Sequence, residues 1–233
     1  MGNVQKKDSG EDDGLDLDIL ILCAGVPRGM KSNGPLSNFE IYGQETITGR
    51  QIRILKERFP LAQITFVGGF QAETAFKTLP SDILKVENEL YEDCSIGRSV
   101  ELGARVCIRK RLMLVYGDLI FNEKFLEDVP KKGSWAFLTE RDTHEVGANT
   151  GKNKVRLFNY SIANPKWAQV AIFDGLELTI LKEMLENYRD KLGHEIMNGI
   201  LRKGGEIGAH YPDGKLFEVD SKEDLVIAKR RKI

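Results

Sequence analysis

Asp18-Ile-Leu-Ile-Leu-Cys-Ala-Gly-Val-Pro-Arg-Gly-Met30 is the stretch that decides the fold of this 233-residue chain. Ile19 to Leu22 is a short apolar run, suited to a buried parallel strand rather than a helix. The run closes on small residues, Cys23, Ala24 and Gly25, and passes into a loop that carries Pro27, Arg28, Gly29 and Lys31. A strand ending in small residues lets the backbone approach a ligand. Backbone N–H groups with cations beside them suit a phosphate. In open α/β sheets ligands bind just past the carboxyl ends of strands, which is where this loop lies.

The rest of the chain repeats the strand–helix rhythm. Gln44 to Phe59 has an apolar side (Ile47, Ile52, Ile54, Leu55, Phe59) and a basic one, as in an amphipathic helix, and Pro60 ends it. Gln63–Val67, Ile83–Glu87 and Leu112–Tyr116 read as further strands, with helices over Gln71–Thr78 and Ser95–Val106. This βαβ pattern predicts a parallel sheet with right-handed crossovers. The second half is more mixed. Strands are expected over Trp135–Thr139, Lys154–Tyr160 and Trp167–Phe173, helices over Leu176–Tyr188 and Glu195–Lys203, and a turn region over Thr143–Asn153. Glu206–His210 and Lys215–Val219 read as a hairpin about Pro212-Asp-Gly214. Ser221 with Asp224 opens a last helix in the manner of a capping box. Residues 1–15, rich in Gly, Asp, Lys and Ser, form a disordered tail to one domain over 16–233.

Composition narrows the function. Hydrophobic residues make up 41% and charged residues 30%, and the formal net charge is -1. A near-neutral chain lacks the basic stripe that nucleic acid or an anionic membrane would require. No apolar run is long enough to span a bilayer. The three cysteines, Cys23, Cys94 and Cys107, have no metal-ligand spacing and cannot all pair, which places the protein in a reducing cytoplasm. His144, His194 and His210 are too scattered for a zinc site.

Two further stretches carry chemistry. Tyr116-Gly-Asp-Leu-Ile-Phe121 puts Asp118 at the end of an apolar strand, and Phe217-Glu-Val-Asp220-Ser-Lys-Glu-Asp224-Leu225 puts Asp220 at another strand end before a helix. Either aspartate alone reads equally well as a helix cap. Taken with Ala24, Gly25, Met30, Pro35 and Leu36, the three stretches in this order resemble the sugar-phosphate and choline-phosphate nucleotidyltransferases. The resemblance implies a GT-A type α/β fold: a Rossmann-like three-layer sandwich with a mostly parallel central sheet and a small mixed β region. It implies a magnesium ion held by Asp118 and Asp220, and transfer of a nucleoside monophosphate, with CTP favoured, from a nucleoside triphosphate to a phosphorylated sugar or alcohol. Arg28 and Lys31 then stand nearest the β- and γ-phosphates as catalytic cations. Cys23, Ala24, Gly25 and Gly69 shape the nucleotide site, and Asn88 and Ser99, from an Asn-x-x-Tyr segment, face the base. Glu195 lies on the acceptor-binding helix. The loop departs from the family at Pro27, Gly29 and Gly34, the last standing where a lysine is usual, which weakens the grip on triphosphate.

Trp135, Trp167 and Tyr211 offer either an aromatic wall for a choline-like cation or ordinary core packing. Two other functions fit parts of the pattern. One is a catalytically silent member that binds a nucleotide or a protein. The other is a glycosyltransferase, against which the single aspartate of Gly117-Asp118-Leu119 counts, since those enzymes use Asp-x-Asp. The sequence leaves monomer or homodimer open.

Overall fold

The computed structural model describes residues 16–27, 29–140 and 145–230. The tail expected over 1–15 lies outside them, as do Arg28 and His144.

β1 (Leu17–Cys23) is buried along its whole length, as its unbroken apolar run predicts. α1 (Ile47–Arg58) begins at Thr46, whose Oγ1 accepts the Gly49 N–H at 3.0 Å and so caps the helix. β2 (Gln63–Gly68), α2 (Ala72–Thr78), β3 (Leu84–Glu87), α3 (Ile96–Val106) and β4 (Arg111–Tyr116) follow in the expected order. β5 (Leu119–Phe121) is a short strand directly after the Gly117-Asp118 turn. The second half runs β6 (Trp135–Thr139), β7 (Gly147–Gly151), β8 (Lys154–Asn159), β9 (Lys166–Asp174), α4 (Gly175–Met184), α5 (Gly193–Arg202), β10 (Ile207–His210), β11 (Leu216–Glu218) and α6 (Lys222–Arg230). At the start of α6, Ser221 Oγ accepts the Asp224 N–H at 3.1 Å and the Asp224 carboxylate accepts the Asp220 N–H at 3.2 Å, the reciprocal cap that the sequence suggests.

Among the described residues the main sheet has nine strands in the order β3-β2-β1-β4-β9-β6-β10-β8-β7. Helices cover both faces. One core packs α1, α2 and α6 on one side of the sheet, and the other packs α3, α4 and α5 on the opposite side. The α/β layering thus matches expectation, but the sheet is mixed rather than mostly parallel. β3, β2, β1 and β4 run parallel, while β9 is antiparallel to both β4 and β6, and β8 is antiparallel to β10 and β7. β7 pairs again with β9 through Gly147 and Lys166, so the far end of the sheet curls toward a barrel.

Two local expectations are corrected. The Gly/Asn/Thr-rich stretch before Asn153 contains β7, because cross-strand pairing with β8 overrides weak strand propensity. β10 and β11 do not form a hairpin with each other. β10 joins the main sheet between β6 and β8, and β11 pairs antiparallel with β5 in a separate two-stranded sheet. Gly214 allows the change of course, since a Cβ there would lie 2.1 Å from the Phe125 nitrogen.

The strand order reverses at β1: β2 and β3 lie to one side and β4 to the other. Such a switch point opens a crevice between the carboxyl ends of the two strands, here Cys23 and Tyr116. A second fixture braces the far wall. The Glu101 side chain on α3 is buried and accepts from Arg98 (2.6 Å), Arg105 (2.6 Å) and Arg189 (2.7 and 2.8 Å). Two backbone bonds, Gly97 N to Lys191 O and Arg98 N to Arg189 O, both 3.1 Å, join the start of α3 to the segment leading into α5. No side chain fits at 97, because its Cβ would fall 1.8 Å from the Tyr188 carbonyl oxygen.

The Arg189 guanidinium, with Arg98 and Arg105 behind it, holds the Glu101 carboxyl at about 2. A depressed folded-state value gives stability that is present above the ordinary glutamate range and lost as pH falls toward that value. Glu101→Gln should therefore cost about 2–4 kcal/mol at pH 7 and nearly nothing at pH 2. Urea titrations of both proteins at the two pH values check this; an equal cost at both removes the ionic role.

Candidate active site

The site grows from the Gly117-Asp118 turn. Gly117 N–H donates to Leu22 O at 2.8 Å, and a Cβ at 117 would lie 2.5 Å from the Cys23 Cβ, so only glycine lets the ends of β1 and β4 touch. Gln51, buried on α1, holds the turn from beneath, its Nε2 donating to Tyr116 O at 2.9 Å and Leu119 O at 2.8 Å. Burial, and then the charge of Asp118, push the Cys23 thiol up to about 12, so Cys23 is an inert packing group at neutral pH.

Pairing of β5 with β11 decides what Asp118 meets. Leu119 faces Glu218, and the Val219 N–H donates to Asp118 O at 3.0 Å. That register puts residues 218 and 220 to either side of the position opposite Asp118. One carboxylate oxygen from each of Asp118, Glu218 and Asp220 lies within 4.8 Å of the others. Asp118 Oδ1 is buried and has no hydrogen-bond partner among the described residues. Desolvation, then Glu218, then Asp220, raise the Asp118 carboxyl well above the ordinary range. Two such charges repel by on the order of 3 kcal/mol at an effective dielectric of about 20. A cluster so arranged needs either a proton or a cation. An all-oxygen donor set with one oxygen left unpaired fits a hard divalent ion such as magnesium.

A cavity of about 480 Å³ opens beside the cluster and shares Glu218 and Asp220 with it. Its aromatic wall includes Tyr116, Trp167 and Tyr160, with Tyr116 and Trp167 edge-to-face at 5.7 Å and Tyr160 against His194 at 4.9 Å. Gly193 lets the Tyr116 hydroxyl in, since a Cβ there would sit 1.9 Å from that oxygen. Glu145 and Gln169 complete the polar part, and no Lys or Arg is among the described residues lining it. Burial lowers the His194 imidazole below its usual value, which leaves it neutral at pH 7.

Among the described residues, those singled out from sequence fall into five places. Asp118 and Asp220 come together. Cys23, Ala24 and Gly25 end β1, where Ala24 O accepts the Phe70 N–H at 2.8 Å. Gly69 abuts them, a Cβ there meeting that same oxygen at 2.7 Å. Asn88 and Ser99 are buried and bonded to each other, Asn88 Nδ2 donating to Ser99 Oγ at 3.0 Å, while Asn88 Oδ1 accepts the Leu90 N–H at 3.2 Å. Lys31 is exposed, pairs with Glu92 and lies 5.9 Å from the centre of the Phe70 ring. Glu195 is not among the cavity-lining residues; its carboxylate accepts the Leu192 N–H at 2.8 Å and caps α5, while Leu192, Gly193 and His194 line the wall. Of the aromatic residues, Trp167 lines the cavity. Trp135 donates to Lys132 O at 2.7 Å and packs on Gly208, and Tyr211 is not in the lining. Sequence reasoning passed over Glu218, Gln169 and Tyr116. Glu218 carried a signal, standing two residues before Asp220 in the same quoted stretch. Tyr116 stands immediately before the Gly117-Asp118 turn.

No family model matches the chain, and no curated protein matches it in sequence. Solved structures do. CTP:phosphocholine cytidylyltransferase from Streptococcus pneumoniae superposes with a TM-score of 0.75 at 18% identity, over 92% of this chain and 98% of that one. A nucleoside-diphosphate-sugar pyrophosphorylase from Vibrio cholerae gives 0.73 at 15%, over 91% and 100%. The inositol-1-phosphate CTP transferase from T. maritima gives 0.69 at 14%, over 90% and 91%. The fold is therefore the fold of the nucleotidyltransferases that the signature stretches resemble.

Asp118 also sets a pH signature. Its folded-state value is raised, so its contribution to stability is complete below an unfolded value of about 3.9 and is lost as pH rises through the folded value. Asp118→Asn has no such loss. In chelator-treated buffer the two proteins should melt together near pH 4, and the variant should gain about 2–6 °C on the wild type by pH 8. Scanning calorimetry across that range decides it, and a pH-independent difference contradicts the assignment.

Proposed function

We propose that this chain is a magnesium-dependent nucleotidyltransferase. It transfers a nucleoside monophosphate from a nucleoside triphosphate, with CTP favoured, to a phosphorylated small alcohol or sugar, and releases pyrophosphate. The observation that carries this reading is the trio Asp118, Glu218 and Asp220. It lies at the switch point of an α/β sheet, has a buried oxygen without a partner among the described residues, and shares Glu218 and Asp220 with a substrate-sized cavity.

A phosphate oxygen of the acceptor attacks the α-phosphorus. The bond to the bridging oxygen breaks, and pyrophosphate leaves with that electron pair. The acceptor phosphate is already anionic at pH 7, so the protein need not remove a proton. Its work is alignment and charge neutralisation. Asp118, Glu218 and Asp220 would hold Mg2+, which when bound supplies positive charge at the α-phosphate. The close-packed glycines at 69 and 117 let the nucleotide approach the end of β1. Arg28 and Lys31 are the cations this reading assigns to the β- and γ-phosphates, Lys31 after release from Glu92. Asn88 and Ser99 shape the base side, and Glu195 orders the helix that closes the acceptor side.

The cavity favours an acceptor with a cationic head. Aromatic faces attract ammonium groups, and Glu145, Glu218 and Asp220 add negative charge without an opposing Lys or Arg in the described lining. A phosphorylated amino alcohol, the class to which phosphocholine belongs, meets those demands better than a neutral sugar phosphate. A reducing cytoplasm accords with Cys23, Cys94 and Cys107, which form no disulfide, and among the described residues no helix is long and apolar enough to cross a membrane. Two observations favour a silent, nucleotide-binding protein instead: Lys31 is engaged with Glu92, and Gly34 stands in the position where the family resemblance expects a lysine.

Pyrophosphate release, measured with four triphosphates against phosphocholine, phosphoethanolamine, glucose 1-phosphate and inositol 1-phosphate, separates the two. Turnover should need Mg2+ and an acceptor, and be fastest with CTP and an amino-alcohol phosphate. Asp118→Ala and Asp220→Ala should each lower kcat at least about 100-fold. Thermal stabilisation by a triphosphate with no turnover in any combination selects the silent protein.

A further inference from the structure

Gln169 is the non-glycine residue of the cavity wall with a left-handed backbone, at φ +56°. It sits in an irregular stretch of β9. Between the pairs Ala136–Ala171 and Leu138–Trp167, β6 advances two residues and β9 four. Side chains rarely adopt this backbone conformation, and where they do the cause is commonly functional. Here the cause is visible. Gln169 Nε2 donates to Glu218 Oε1. A carboxylate only accepts, so this bond fixes which end of the amide is nitrogen. The other end, Oε1, is buried and has no partner among the described residues. A glycine would adopt the same backbone without strain, yet would leave the Glu218 carboxylate without this donor.

We propose that Gln169 is a positioning residue: its strained backbone exists to bring an amide N–H to Glu218 and hold that carboxylate in the acidic trio. This rests on the reading of the trio as a divalent-cation site. A carboxylate pinned by a neutral donor stays oriented in the absence of the ion. A carboxylate without this donor is held less firmly against its two repelling neighbours, and more of its order must be supplied by each ion bound.

Mn2+ binding to the protein without substrates, followed by the electron paramagnetic resonance of free Mn2+, tests the assignment apart from turnover. Gln169→Gly should keep or raise the melting temperature while weakening Mn2+ about 5- to 20-fold. Gln169→Met, which preserves bulk, should weaken Mn2+ similarly. In a Glu218→Gln background, Gln169→Gly should weaken Mn2+ no further. Mn2+ affinity within two-fold of wild type in both single variants overturns the proposal, and so do effects that add in the double variant. A wild-type protein that retains no Mn2+ without substrates overturns this proposal alone, since the nucleotidyltransferase reading stands or falls on the turnover assay, where triphosphate oxygens can complete the ion's shell.

Discussion

Three carboxylates that repel one another are kept together by backbone hydrogen bonds, and the whole site depends on that. The antiparallel register of β5 against β11 cannot place Leu119 opposite Glu218 without gathering Asp118, Glu218 and Asp220. Side-chain rotation alone offers limited relief, because the Asp118 carbonyl is bonded to Val219 and the turn is clamped by Gln51. The repulsion is thus built into the native state, and the folding of the remaining core offsets it. Stability lost to such repulsion is stability made available to any cation that neutralises it.

The parts of the fold legible in the sequence were those with strong local signals. β1 and β4 are mostly apolar runs, and α1 and α3 have clear wet and dry faces, although α1 starts at Ile47 after its Thr46 cap rather than at Gln44. The direction of strands was not legible. β9, with its apolar core from Val170 to Phe173, looks as parallel as β1 by composition, and only its neighbours make it antiparallel. The same holds for β10 and β11. Pro212-Asp-Gly214 does mark a turn, but a turn does not state whether the strands it joins will pair. β7 was concealed by its Gly, Asn and Thr content.

Site residues divide along the same line. Asp118 and Asp220 are visible because each stands at a strand end in a recognisable stretch. Glu218 is hidden beside them at the end of a short, wholly buried strand, where a carboxylate is the less expected occupant. Gln169 has no signal in the sequence, since nothing local announces a left-handed backbone at an ordinary amide. Asn88 and Ser99 show the converse. Their types suggest recognition of a base, while the folded chain joins them to each other, so that their first effect is to fix the segment between β3 and α3.

The bolt between α3 and the segment before α5 reaches beyond stability. Ser95 and Ile96 form one flank of the cavity and Leu192 to His194 another, and Glu101 with its three arginines fastens the two into one piece. Changes to the two flanks are then expected to be epistatic: an exchange at 192–194 disturbs the joint it shares with 95–98. A chimera grafting either stretch alone from a protein of different selectivity would inherit a mismatched joint.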